Sequence, residues 1–275
     1  MHKKPSRQGA RAGRLGFPRA ALDTAPALLY DDIALFSQRE IRLGKGQKYL
    51  MIRKWIAALL SLALLFSTSS ALASAEVHRT GDETVPKIAI TVDDCYDLAI
   101  LAQILDLCDQ YKVHVTFYPV GCNIKAEDGD LWRRVVESGH EIGNHSFNHS
   151  SMSNMKEQKV YNQLVKMENA LSEALGYDYY VATFRPPFGA AGKAPYRRLL
   201  ERVGFNDIIL WSVSQTNAQK ALKSVKNGSI LLYHTKKKDY ECLTELIPQL
   251  LDAGYGPVTV SELLGLEPVE REREK

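Results

Sequence analysis

Lys87-Ile88-Ala89-Ile90-Thr91-Val92-Asp93-Asp94 is the stretch whose reading decides the fold. After Lys87 it is apolar or β-branched for five residues, too short for a helix, and reads as a buried strand ending in two carboxylates. Residues 98–111 then carry apolar side chains at helical spacing: Leu98, Leu101, Ile104, Leu105 and Cys108. The alternation continues. Strands are predicted over 113–120, 141–143, 183–185, 207–211, 229–233 and 257–260. Helices are predicted over 130–137, 156–175, 195–203, 218–225 and 240–253, with a last short one through Leu264. Gly139, Gly176 and Gly204 follow helices and stop them. Repeated strand–helix units imply a parallel sheet with helices outside.

In such folds the chemistry collects on the loops where strands end. Asp93-Asp94, His145, Arg185 and His234 each stand at or just past the end of a predicted strand. In Ile142-Gly143-Asn144-His145-Ser146-Phe147-Asn148-His149 two imidazoles are four residues apart. If this run opens a helical turn, both rings share one face. Imidazole nitrogen suits zinc and related divalent metals. Two histidines with one aspartate leave a coordination position open, the pattern of a catalytic rather than a structural site. Each residue also has an ordinary reading. The acid pair suits a strand-end turn or a helix cap. The histidines suit a wet surface. Arg185 before two prolines suits a loop pin, and His234 a hydrogen-bonded core histidine.

A net charge of +3 with no basic stripe excludes a nucleic-acid binder. Cys95, Cys108, Cys122 and Cys242 contain no C-x-x-C pair, which argues against a cysteine zinc cluster. Residues 1–50 show scattered basic residues and little periodicity, and read as a non-native or disordered extension. Met51-Ile52-Arg53-Lys54, an apolar run over 56–66 and the ending Ala71-Leu72-Ala73-Ser74-Ala75 make residues 51–75 a signal peptide, with an uncleaved anchor as the lesser reading. This segment is the chain's one expected membrane contact. Residues 76–86 read as a polar linker, 87–266 as the folded domain and 267–275 as a charged tail.

The chain resembles the polysaccharide deacetylase family, the NodB-homology domain of carbohydrate esterase family 4. Thr91-Val92-Asp93-Asp94-Cys95 is similar to the family's T-F-D-D-G, and His145 to His149 to its H-[ST]-x-x-H. Arg185-Pro186-Pro187-Phe188-Gly189 is similar to R-x-P-[YF]-G, and Leu232-Tyr233-His234 to L-x-H. The resemblance implies a distorted (β/α) barrel with fewer than eight regular strands, and metal-dependent removal of acetyl groups from N-acetylated sugars. It implies Asp94, His145 and His149 as ligands of one divalent metal ion, zinc first, with cobalt, manganese or nickel compatible on ligand type. It implies Asp93 as general base, His234 as general acid and Arg185 as the partner of Asp93. The Phe188 N–H would meet the oxyanion, and Leu232 the acetyl methyl. Trp211 is expected in the wall, able to stack on a sugar.

Two departures stand out. Where many members continue into D-x-x-D-W, this chain has Ser214, Asn217 and Ala218. Asn217 is then the residue available to orient His234, and lacking a charge it would leave that histidine with a lower pKa than in members that have the acid. Cys95 replaces a glycine, read as a plain small residue ahead of a cysteine bonded to Cys122 or a soft ligand. The expected substrate is cell-wall glycan, peptidoglycan or chitin-like. The rivals are a catalytically weak carbohydrate-binding wall protein and a metal-dependent amidohydrolase on a non-sugar amide. Oligomeric state is not legible.

Overall fold

The computed structural model describes residues 74–266. The readings of 1–50, of 51–73 within the signal segment and of the 267–275 tail lie outside the described residues. The domain is built around β2 (Lys87–Asp94), buried from Ile88 to Asp93. It pairs in parallel with β3 (Thr116–Pro119) and β7 (Ile230–His234). Beyond β3 lies β4 (Glu141–Ile142). A second parallel sheet holds β5 (Thr183–Phe184), β6 (Asp207–Ile209) and β1 (Glu76–His78). Two single bridges join the sheets: Asn144 with Phe184, and Val213 with Leu231. The result is a ring in chain order from β2 to β7. Ala89 pairs with both Ile230 of β7 and Val258 of β8 (Gly256–Val258), so β8 shares the β3 edge of β2. This is the distorted parallel barrel with an outer layer of helices.

The helices are α1 (Leu98–Tyr111), α2 (Gly129–Glu137), α3 (Glu157–Leu175), α4 (Ala194–Arg202), α5 (Ala218–Ser224), α6 (Lys237–Asp252) and α7 (Val260–Leu264). Helix α1 starts where Asp97 accepts from the N–H groups of Ala99 and Ile100, both at 3.0 Å, and ends at a left-handed Lys112. Its buried Leu101, Ile104, Leu105 and Cys108 form the predicted stripe.

Strand alternation sorts two cores. Ile88, Ile90 and Val92 face the helices. Ala89, Tyr118, Ile209 and Ile230 fill the ring with Val260 and Leu263 of α7. Helix α7 closes the end where strands begin. The Val260 N–H donates to Thr116 Oγ1 at 2.8 Å, and the Ser261 N–H to Glu141 Oε2 at 2.9 Å. Each buried aliphatic side chain contributes about 1.5–3 kcal/mol, so this plug is a substantial part of barrel closure.

One boundary needs correction. Residues 76–86 are not wholly a linker, because Glu76–His78 forms β1 on the edge of β6. The Glu76 N–H donates to Asn206 O at 2.7 Å, the Leu210 N–H to His78 O at 2.8 Å, and His78 meets Asp207 at 2.9 Å. Three residues alternating polar and apolar carry no strand signal of their own; the unpaired β6 edge recruits them.

Candidate active site

Asp93 and Asp94 would point to opposite faces if β2 ran on regularly. Asp94 (φ 64) and Cys95 (φ 57) are instead both left-handed, which swings the second carboxylate back beside the first. Both then face His145, whose Nε2 lies 3.8 Å from Asp93 Oδ2 and 3.5 Å from Asp94 Oδ1.

The histidines do not sit on a helical turn as the i, i+4 spacing suggested. Residues 143–149 form an irregular loop with Ser146 (φ 66) and His149 (φ 57) left-handed. Its shape is set by side chains that satisfy its backbone. Asn144, fully buried, donates to Leu164 O at 3.0 Å and accepts from the Ser146 N–H at 2.9 Å. Gln163 accepts from the N–H groups of Phe147 and Asn148, each at 3.1 Å. Gly143 lets the chain cross Tyr118, since a Cβ there would lie 2.2 Å from the ring. The outcome is the same convergence by another route, with ring centroids 5.0 Å apart.

His145 Nδ1 lies 2.7 Å from the Arg185 carbonyl oxygen. A carbonyl only accepts, so Nδ1 carries the proton and Nε2 presents a lone pair. His149 Nε2 is 3.4 Å from Asp94 Oδ1, and the donor atoms of Asp94, His145 and His149 all lie within 4.8 Å of one another. Asp94 Oδ1 is buried without a hydrogen-bond partner. Burial tends to raise the Asp94 carboxyl, but the neighbouring His145, His149 and His234 outweigh it and hold it low. Burial and the neighbouring His145 hold His149 below its ordinary value. An ionised carboxylate and two lone-pair nitrogens thus face one point, and a divalent cation fits that set.

Arg185 is fully buried. Its Nη1 donates to Asp93 Oδ1 at 2.7 Å and to Thr91 Oγ1; its Nε and Nη2 donate to the carbonyls of Ile209 (3.2 Å) and Leu210 (3.1 Å). Tyr118 stacks on the guanidinium at 4.4 Å and Trp211 lies 5.9 Å away. Trp211 also packs where Gly189 leaves no room for a side chain. Phe188 is left-handed (φ 60) and 70% exposed, with its ring against His149 at 4.6 Å. Leu232 is half-buried, opposite Thr91 in register and two residues below His234 on the same face.

His234 ends β7 opposite Asp93. Its expected partner is corrected by the structure: Asn217 is exposed and caps α5, accepting from the Lys220 N–H at 3.0 Å. The neighbour of His234 is Asp239. Asp239 Oδ2 accepts from the His234 N–H at 2.9 Å and lies 3.5 Å from its Nδ1. That carboxylate raises the pKa of His234 against burial, helped by Asp93 and Asp94 and opposed by Lys236, so the histidine has a charged partner. Sequence reasoning missed Asp239 because it started the helix at 240. A carboxylate five residues past a strand-end histidine was the available signal.

All four cysteines are free. Cys95 is fully buried and its thiol donates to Val92 O at 3.8 Å. Burial, then Asp93 and Asp94, push it well above its usual range, and it stands outside the cluster of Asp94, His145 and His149.

A family model described as polysaccharide deacetylase matches residues 80–208. A peptidoglycan-N-acetylglucosamine deacetylase of Bacillus cereus is 34% identical over 196 residues, covering 64% of this chain and 87% of the relative. The chain belongs to the polysaccharide deacetylase family. Within that family it is also 32% identical over 193 residues to the Listeria monocytogenes peptidoglycan-N-acetylglucosamine deacetylase PgdA. That match covers 66% of this chain but spans only 40% of the Listeria relative's length. A solved family 4 acetyl xylan esterase from Clostridium thermocellum, in complex with a cobalt ion, superposes with a TM-score of 0.59 at 28% identity, covering 66% of this chain and 93% of that one. The stretches similar to the family's motifs lie at or just past the ends of β2, β4, β5 and β7.

Proposed function

We propose that this chain hydrolyses the acetyl group of N-acetylated sugars in cell-wall glycan. The observation that carries the reading is the buried Arg185–Asp93 pair set beside the Asp94, His145 and His149 cluster. Asp94, His145 and His149 would hold the divalent metal. When bound, it would supply Lewis acidity toward the acetyl carbonyl and lower the pKa of a coordinated water. Arg185 orients Asp93 through a charge-assisted hydrogen bond at 2.7 Å. Asp93 takes the proton of the attacking water. His234, across the mouth, gives its proton to the leaving sugar nitrogen. The Phe188 N–H would meet the oxygen that gains charge, and Leu232 the acetyl methyl.

Zinc is the first choice of metal, and the cobalt ion of the xylan esterase relative supports a second. The peptidoglycan relatives support peptidoglycan as the glycan. Residues 51–75 support export to the wall. Cleavage after Ala73 would keep Ala75, which is buried and donates its N–H to Arg197 O at 3.2 Å.

Acetate release from peptidoglycan fragments and from chitooligosaccharides, with and without chelator, tests the reading. Chelator-sensitive release from either is expected. Retention on glycan without release would make the protein a binding module, and turnover of a non-sugar amide alone an amidohydrolase.

A further inference from the structure

We infer that Asp239 is the positioning residue for His234, delivered by the first turn of α6 in place of an acid from the segment around Ser214 to Ala218. One carboxylate oxygen receives the His234 N–H at 2.9 Å and faces its Nδ1 at 3.5 Å, so strand end and ring are oriented together. Asp239 is 4% exposed. A buried carboxylate needs compensation, yet among the described residues no lysine or arginine pairs with it; Lys237 pairs with Glu241 instead. The N-terminal end of α6 adds favourable dipoles. The imidazole is the remaining partner. With Nδ1–H turned to Asp239, Nε2 is the atom left to carry the mobile proton.

The segment that departs from the family does not compete for this role. Asn217 is committed to capping α5, and Ser214 is exposed. The titratable and charged groups facing His234 are Asp93 and Asp94 from β2, His149 from the loop after β4, Lys236 from the following turn and Asp239 from α6. Only the last is altered by the test below.

The inference rests on the proposed function for its catalytic meaning, so it is tested with one readout that needs no substrate. The His234 imidazole is titrated by NMR in the zinc-loaded and the metal-stripped protein, for wild type, Asp239→Asn, Asp239→Glu and Asn217→Asp. Asp239→Asn keeps an acceptor for the backbone N–H and removes the charge. It is expected to lower the His234 titration by about one pH unit, the size of a single close charge pair. A histidine with a lower pKa loses its acid proton earlier as pH rises. The basic limb of kcat/KM therefore moves down by a similar amount, while kcat falls about 10- to 100-fold with KM nearly unchanged. Asp239→Glu retains the raised titration, and Asn217→Asp leaves both readouts at wild-type values. An unchanged titration in Asp239→Asn, or its restoration by adding Asn217→Asp, overturns the assignment. No acetate release by wild type, with the titration shift present, overturns the proposed function and leaves the positioning role standing.

Discussion

The Arg185 guanidinium is fully buried and is held by three carbonyl or hydroxyl oxygens plus Asp93. Removing one member of such a buried pair leaves the other charge stranded, at a cost of about 3–5 kcal/mol. Arg185→Ala is therefore expected to lower the urea midpoint by that equivalent, and Arg185→Lys to recover little of it, because an ammonium cannot reproduce the planar fork. Asp93→Asn should separate chemistry from binding. Turnover falls at least about 100-fold, while calorimetry finds zinc affinity nearly intact. His145→Ala should lose both. Most of these residues were readable because each follows a short run whose own pattern announces a strand. Asp239 was not: its role depends on where α6 begins, and three lysines hid that start. The left-handed loop of 143–149 was hidden as well, since partners such as Gln163 lie on a different element.

Among the elements, β1 was the one the sequence concealed. A strand of three residues has too little pattern to be seen alone, and its existence depends on the edge it meets. A chain starting at Lys87, the domain boundary that the sequence suggests, would strip β6 of this partner. Such a truncation is expected to lose about 2–4 kcal/mol, or roughly 5–15 °C in the thermal midpoint of a domain this size. A chain starting at Ser74 keeps β1 and should keep that stability. Helix α7 is the opposite case. Its place was legible, but its anchoring was not: Glu141 receives the Ser261 N–H and hydroxyl at 2.9 and 2.8 Å together with Thr116 and Thr183. Glu141→Ala should unfasten α7 and lower stability by about 1–3 kcal/mol, as judged by unfolding and by faster amide exchange in 260–264.

At the scale of the molecule, the proposed cation site ties the end of β2 to the loop after β4. A ligand that binds the folded chain but not the unfolded one stabilises it by mass action, about 4 kcal/mol at a thousandfold excess over Kd. Zinc should raise the thermal midpoint and a chelator reverse the rise; the Asp94→Asn variant should respond to neither. The parallel sheet with helices outside was legible because strand and helix patterns alternate along the chain. The irregular closure through the two bridges at Asn144 and Val213 was not, since single paired residues leave no periodicity.

The stoppered lumen has a further consequence. Tyr118, Ile230 and the side chains of α7 occupy the passage, so nothing can be drawn through it. A long glycan reaching Asp93 has to lie sideways over the rim, where a unit in mid-strand is presented as well as a terminal one. Strands with both tips blocked should be processed as fast as free ones.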